Sequence, residues 1–150
     1  MITIFIMNSK LEEKMLLARA KRYINNIQGI EKISISLSNN DKEFQWHKEI
    51  INSILKGKEI PECKLELPVS EEDIYSYLQS KIHIGECNSY YMFFEGMVKF
   101  SFNIIDLKRF LSSCYALKKT FDLYVLLLNP MKVIAISEEE YELSFYNKTM

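Results

Sequence analysis

Apolar and polar positions follow two different rhythms along this chain, and the places where the rhythm changes predict its elements. Residues 2–7 (Ile-Thr-Ile-Phe-Ile-Met) are apolar and rich in isoleucine, which predicts an interior strand. Ser9 and Glu12 then have capping-box spacing: the hydroxyl accepts a free backbone N–H and the carboxylate reaches back to the cap. At about 100° per residue, Leu16, Leu17, Ala20, Tyr23, Ile24 and Ile27 fall on one side of the helix that follows. Gly29 is expected to end that helix in a left-handed cap. Ile33, Ile35 and Leu37 alternate at period two and predict a second strand, which runs into the turn residues Ser38-Asn39-Asn40-Asp41.

A second helix is predicted over 42–56, with Phe44, Trp46, Ile50, Ile51, Ile54 and Leu55 on its apolar face. Cys63–Leu67, fenced by Pro61 and Pro68, reads as an edge strand. Ser70-Glu71-Glu72-Asp73 opens a third helix, its acids sitting where the helix dipole favours them. Residues 89–102 predict a hairpin about Glu95-Gly96. With Phe94 paired to Met97, one face would carry Tyr91, Phe93, Val98, Phe100 and Phe102. The other would carry Tyr90, Met92, Phe94, Met97, Lys99 and Ser101.

Asn103 is expected to cap a fourth helix to about Lys118, burying Ile104, Leu107, Phe110, Leu111, Cys114, Tyr115 and Leu117. Phe121–Leu128 is almost unbroken in hydrophobicity and is expected to be a central strand. Asn129-Pro130 turns the chain, and Lys132–Ile136 returns antiparallel. Ser137-Glu138-Glu139-Glu140 again has capping-box spacing, while Tyr141, Leu143 and Phe145 alternate, so a helical turn followed by a strand is expected. The order predicts one α+β domain, with a mixed or mostly antiparallel sheet and about four helices packed against it.

Composition narrows the partners. Nineteen basic and 20 acidic side chains leave a net charge of −1, which argues against a dedicated nucleic-acid binder. The apolar start is too short to span a membrane and lacks a signal peptide's basic head and cleavage site, so no membrane association is expected. Three cysteines without a C-x-x-C pair fit a reducing compartment, and the chain is read as cytoplasmic. Its 19 Ile and 16 Lys against 3 Arg and 4 Ala reflect AT-rich codons.

Chemistry is hard to find. With four glycines in 150 residues no phosphate cradle can be built, and no zincin helix, nucleophile elbow or calcium loop occurs. The chain is therefore expected not to be an enzyme and to need no cofactor or metal. His83, Glu86 and Cys87 lie close in sequence, but zinc wants four convergent ligands and a thiolate wants a positioned base. His47 falls in the middle of an apolar helix face, where a histidine is usually a core residue with its nitrogens bonded to backbone or water. Partner contacts are expected at two acidic clusters, Glu71, Glu72 and Asp73, and Glu138, Glu139 and Glu140, beside exposed aromatics. The hairpin face with Tyr90, Met92 and Phe94 is a further candidate patch.

In length, class and charge the whole chain resembles the bacterial immunity proteins that neutralise polymorphic or contact-dependent growth inhibition toxins. That resemblance implies a cytoplasmic inhibitor whose partner is a cognate, basic toxin, frequently a nuclease, blocked at or near its active site. A homo-oligomer is compatible with it. The alternative is a small-molecule sensor with a pocket lined by the hairpin aromatics and His47.

Overall fold

The computed structural model describes residues 2–38, 42–83 and 88–150, with side chains from Lys10 onward. Among them the order is α1 (Ile2–Asn25), β1 (Ile30–Leu37), α2 (Gln45–Leu55), β2 (Cys63–Glu66), α3 (Glu71–Gln79), β3 (Tyr90–Phe94), β4 (Val98–Ile104), α4 (Leu107–Lys118), β5 (Leu123–Leu128), β6 (Met131–Glu138) and β7 (Glu142–Thr149). A single 3-10 turn, Lys42–Phe44, leads into α2. The strands form a seven-stranded sheet in the order β1-β4-β3-β5-β6-β7-β2, with every neighbouring pair antiparallel. The chain is an α+β protein with an antiparallel sheet and four helices, and β5, the most hydrophobic strand, is central. The short β2, fenced by prolines, lies at an edge as its composition predicts. No helix among the described residues is long and apolar enough to cross a membrane.

Alternation along the strands divides the apolar side chains between two layers. Leu16, Ala20, Ile24 and Ile27 on the α1 side, Ile74 and Leu78 of α3, and Leu107 and Phe110 of α4 close over one sheet face. That face presents Val98, Phe100, Phe102, Val125, Ile134 and Phe145. The opposite face carries a smaller cluster, in which Phe44 and Ile54 cover Leu126, Val133, Ala135 and Tyr146. One helix stands on that side, so the second face is only partly covered.

Six expectations fail, each for a physical reason. Residues 2–7 are not a strand, because α1 runs from Ile2. Short apolar runs do not distinguish strand from buried helix, and a helix already nucleated by Leu16–Ile27 extends at one hydrogen bond per added residue. Ser9 and Glu12 therefore lie inside the helix and not at its start. The helix ends at Asn25, so Gly29 is not its cap. Gly29 does hold a φ of +74°, and its carbonyl accepts from the N–H groups of Ile105 and Asp106 at 2.8 and 3.1 Å. A Cβ there would collide with the Asp106 carbonyl oxygen and lie 2.9 Å from the Phe110 nitrogen, so glycine seats the start of α4.

Asn103 is not a cap either. It pairs with Glu31 inside the sheet, and Asp106 caps α4 by accepting the Arg109 N–H at 3.1 Å. Ser137-Glu138-Glu139-Glu140 begins no helix. Ser137 pairs with Ser144 and Glu138 with Leu143, so the period-two alternation of β7 prevails over the capping pattern. The β3–β4 hairpin turns about Glu95-Gly96 as expected, but Phe94 pairs with Val98 rather than Met97. Glu95 and Gly96 both take positive φ, and Met97 becomes a third loop residue. That one-residue slip puts Tyr90, Met92 and Phe94 on the same face as Val98, Phe100 and Phe102.

Candidate functional site

The strand register brings the two acidic clusters to one end of the sheet. Glu66 at the end of β2 stands opposite Glu142 at the start of β7, and Glu138 opposite Leu143. Asp122, just before β5, accepts the Glu138 N–H at 2.7 Å, and the Tyr141 carbonyl accepts the Leu67 N–H at 2.9 Å. The chain leaves β2 at this end and enters α3 through Ser70. Glu71, Asp122 and Ile136 therefore line one small cavity of about 20 Å³, room for about one water. Glu66, Glu71, Asp122, Glu138, Glu139, Glu140 and Glu142 thus share this end with Tyr141, which is 75% exposed, while Glu72 turns to Lys108 in the first turn of α4.

Several of these acids also hold the local structure. Ser70 and Asp73 form the capping box, with Asp73 N–H donating to Ser70 Oγ at 3.2 Å and Ser70 N–H to Asp73 Oδ2 at 3.4 Å. Glu71 accepts the Ser112 hydroxyl at 3.2 Å, and Glu72 meets Lys108 at 3.4 Å, so α3 is fastened to α4 through exposed side chains. Glu139 accepts the hydroxyl of buried Ser144 at 3.0 Å, and Glu142 pairs with Lys64 at 3.1 Å. Glu140 is exposed at the turn. Tyr141, Asp122, Glu66 and Glu142 were not foreseen as parts of this surface. The alternation that begins at Tyr141 was the available signal.

The hairpin candidates are corrected. Tyr90 and Met92 are 3% exposed beneath the three-helix layer and present no surface to a partner. Phe94 is half-buried, its ring 5.2 Å from Tyr23 and 6.0 Å from Phe100. On the other sheet face Tyr91 and Phe93 lie edge-on to Phe44 at 5.0 and 5.5 Å, and the Lys48 ammonium sits 4.8 Å over Phe93. Beside them a cleft of about 430 Å³ opens between α2 and the sheet, lined by Phe93, Tyr124, Ile51 and Leu55.

His47 does not line that cleft. It is fully buried, and its Nε2 donates to the Leu127 carbonyl at 2.7 Å, which leaves Nδ1 as an acceptor without a partner among the described residues. Burial holds its pKa below the ordinary histidine value, the Leu127 bond offsetting part of that. Burial pushes the Cys114 thiol up to about 12, and it also raises Cys63, aided by Glu62. Neither is an activated thiolate at neutral pH. Cys87 and Glu86 lie outside the described residues, and His83 is exposed. Among the described residues no three of His, Cys, Asp and Glu converge as metal ligands would.

One half-buried polar cluster escaped the sequence entirely. Lys81 meets Glu62 at 2.8 Å, and Tyr77 lies against the same carboxylate with its ring 4.5 Å from Phe145. The hydrogen bond from Lys81 holds the Glu62 carboxyl below its usual range. Burial, then the nearby Glu62 charge, raises the Tyr77 phenol. This cluster clamps the edge strand β2 to the layer of α3. No family model matches the chain, and neither a curated protein nor a solved structure matches it.

Proposed function

We propose that this chain is a protein-binding inhibitor, an immunity protein that neutralises a cognate toxin by laying the acidic end of its sheet on a basic surface at or near the toxin's active site. The observation that carries the reading is the gathering of Glu66, Glu71, Asp122, Glu138, Glu139, Glu140 and Glu142 at the sheet end that carries the exposed Tyr141. The near-zero net charge of the whole chain conceals that asymmetry. Such a surface steers a basic partner to itself, while an exposed tyrosine supplies the desolvated anchor that charges alone do not. A nuclease suits this chemistry, because a surface that holds phosphates is basic by necessity.

The test is co-expression with the neighbouring genes and affinity capture of the tagged chain. A stoichiometric basic partner whose toxicity is relieved is the expected result. The joint variant Glu71→Lys, Glu72→Lys, Glu139→Lys, Glu140→Lys should then bind more weakly and with a flatter salt dependence. If affinity and salt dependence stay the same, the acidic end is not the interface.

A second reading, a small-molecule sensor, is favoured by the 430 Å³ cleft with Phe93 and Tyr124 in its wall, a volume in the range of ligand sites. A thermal-shift screen tests it: a ligand that raises the melting temperature should lose its effect in Tyr124→Ala.

A further inference from the structure

A different part of the same sheet end forms a cleft that the acidic β6–β7 turn does not touch. β3 runs antiparallel to β5, so the β3–β4 turn at Glu95 stands at the end where β5 begins. There the middle of α1 passes the hairpin tip, and the gap between them is a cleft of about 580 Å³ lined by Glu12, Glu13, Met15, Leu16, Arg19, Glu95 and Met97.

Its chemistry is specific. Met15 and Met97 are 54% and 44% exposed and face the gap from opposite walls, and Leu11 continues the stripe along α1 at 55%. Among the described residues the cleft is lined by a single cation, Arg19, which is paired to Glu95 at 2.9 Å. Glu12 and Glu13 leave the rim net acidic. Neither methionine belongs to the core: the buried face of α1 runs through Leu16, Ala20 and Ile24, and Met97 lies in the loop between β3 and β4.

Methionines are unbranched and polarisable and mould themselves to varied apolar side chains, so an exposed methionine pair suits an induced fit to a partner. Glutamates around such a floor select cations. An amphipathic helix with an apolar stripe between lysines or arginines satisfies both demands at once. An acidic or neutral helix would satisfy only the floor.

We propose that the cleft between α1 and the β3–β4 hairpin tip is a docking groove for a basic amphipathic helix of a partner protein. An apolar residue of that helix inserts between Met15 and Met97, and its cations meet Glu12 and Glu13. The groove stands on its own geometry and does not depend on the acidic β6–β7 end. The two surfaces lie three strand spacings apart, about 14 Å along the sheet edge, close enough for one partner to span both.

The test uses the full chain and a fluorescein-labelled synthetic helix of leucine and lysine, with a leucine–glutamate helix of the same length as control. The leucine–lysine helix should bind saturably in fluorescence anisotropy, and the control should not. In the chain labelled with 13C-methyl methionine, the Met15 and Met97 methyl signals should shift on titration and that of buried Met92 should not. Met15→Gln with Met97→Gln should weaken binding about tenfold without adding charge, and so should Glu12→Gln with Glu13→Gln. All four side chains are exposed, so both variants keep the fold. Equal binding of the two helices would overturn the proposal. So would methyl signals that stay still, or binding removed only by Glu139→Gln with Glu140→Gln, which would place the helix on the β6–β7 end.

Discussion

His47 Nε2 lies 2.7 Å from the carbonyl oxygen of Leu127, so a fully buried imidazole of α2 is tied to the backbone of the central strand β5. Phe44 and Trp46 hold the ring from the sides, with centroids 5.2 and 5.0 Å away. That bond joins the apolar packing of Phe44 and Ile54 in holding α2 on the second face of the sheet. Replacing His47 by Ala removes it and leaves a cavity. The expected cost is about 2–4 kcal/mol by urea denaturation.

The same residue should make the fold acid-sensitive. Burial depresses the folded pKa of His47 below 6.5, so the unfolded chain takes up a proton that the folded chain refuses. The stabilisation is fully present above pH 6.5 and is lost as pH falls from there towards the folded pKa. Glu62, also depressed, acts below its ordinary 4.5, so the two windows separate. Denaturant midpoints measured between pH 7.5 and 5 should fall in the native chain. They should fall much less in His47→Gln.

Met92 and Met97 are five residues apart in one hairpin and differ completely in environment, 3% against 44% exposed. Met92→Lys buries a charge and is expected to cost more than about 4 kcal/mol or to prevent folding. Met97→Lys should stay within about 0.5 kcal/mol of the parent. Similar losses for both would contradict the Phe94–Val98 register.

Gly29 and Gly57 both hold positive φ, +74° and +70°, but only Gly29 touches its surroundings. Gly57→Ala should cost about 1 kcal/mol, the strain of the left-handed backbone alone. Gly29→Ala adds the collision with α4 and should cost about 3 kcal/mol or more. A thermal melt of each variant separates the two contributions.

Cys63 is exposed and Cys114 buried, with a thiol that burial pushes up to about 12. Iodoacetamide at mildly alkaline pH should label Cys63 in the folded chain and spare Cys114 until denaturant is added, as read by peptide mass mapping. Labelling of both at equal rates would mean that the α4 layer opens readily.

Tyr141→Ala separates binding from folding at the acidic end. The side chain is 75% exposed, so stability should change by less than about 0.5 kcal/mol. If the proposed inhibitor reading holds, affinity for the captured partner should fall by about 1–2 kcal/mol. Unchanged affinity would move the anchor elsewhere.

Much of the architecture was legible because it rests on local rules. Period-two alternation located β7, an unbroken apolar run marked β5 as central, and Ser70–Asp73 opened α3, since these signals depend on nearest neighbours alone. The α+β class followed from the order of the elements. Where two local signals conflicted, tertiary pairing chose between them. Glu138 entered a ladder with Leu143 instead of starting a helix, and Asn103 paired with Glu31 instead of capping one. The stretch 2–7 joined α1 because a short isoleucine-rich run carries no periodicity of its own.

The candidate surfaces divided in the same way. The sequence by itself determined that Glu71–Asp73 stand at a helix start, that Glu138–Glu140 form an acidic run, and that no glycine-rich cradle exists. Only the tertiary structure decided that Glu71 and Glu138–Glu140 share one end of the sheet with Tyr141, because strand order and register are set by contacts between residues far apart in the chain. It also decided that Tyr90 and Met92 are core and Met97 is surface. A one-residue shift in a hairpin exchanges the two faces of a strand, and no composition or spacing within the hairpin encodes which face the helices will cover.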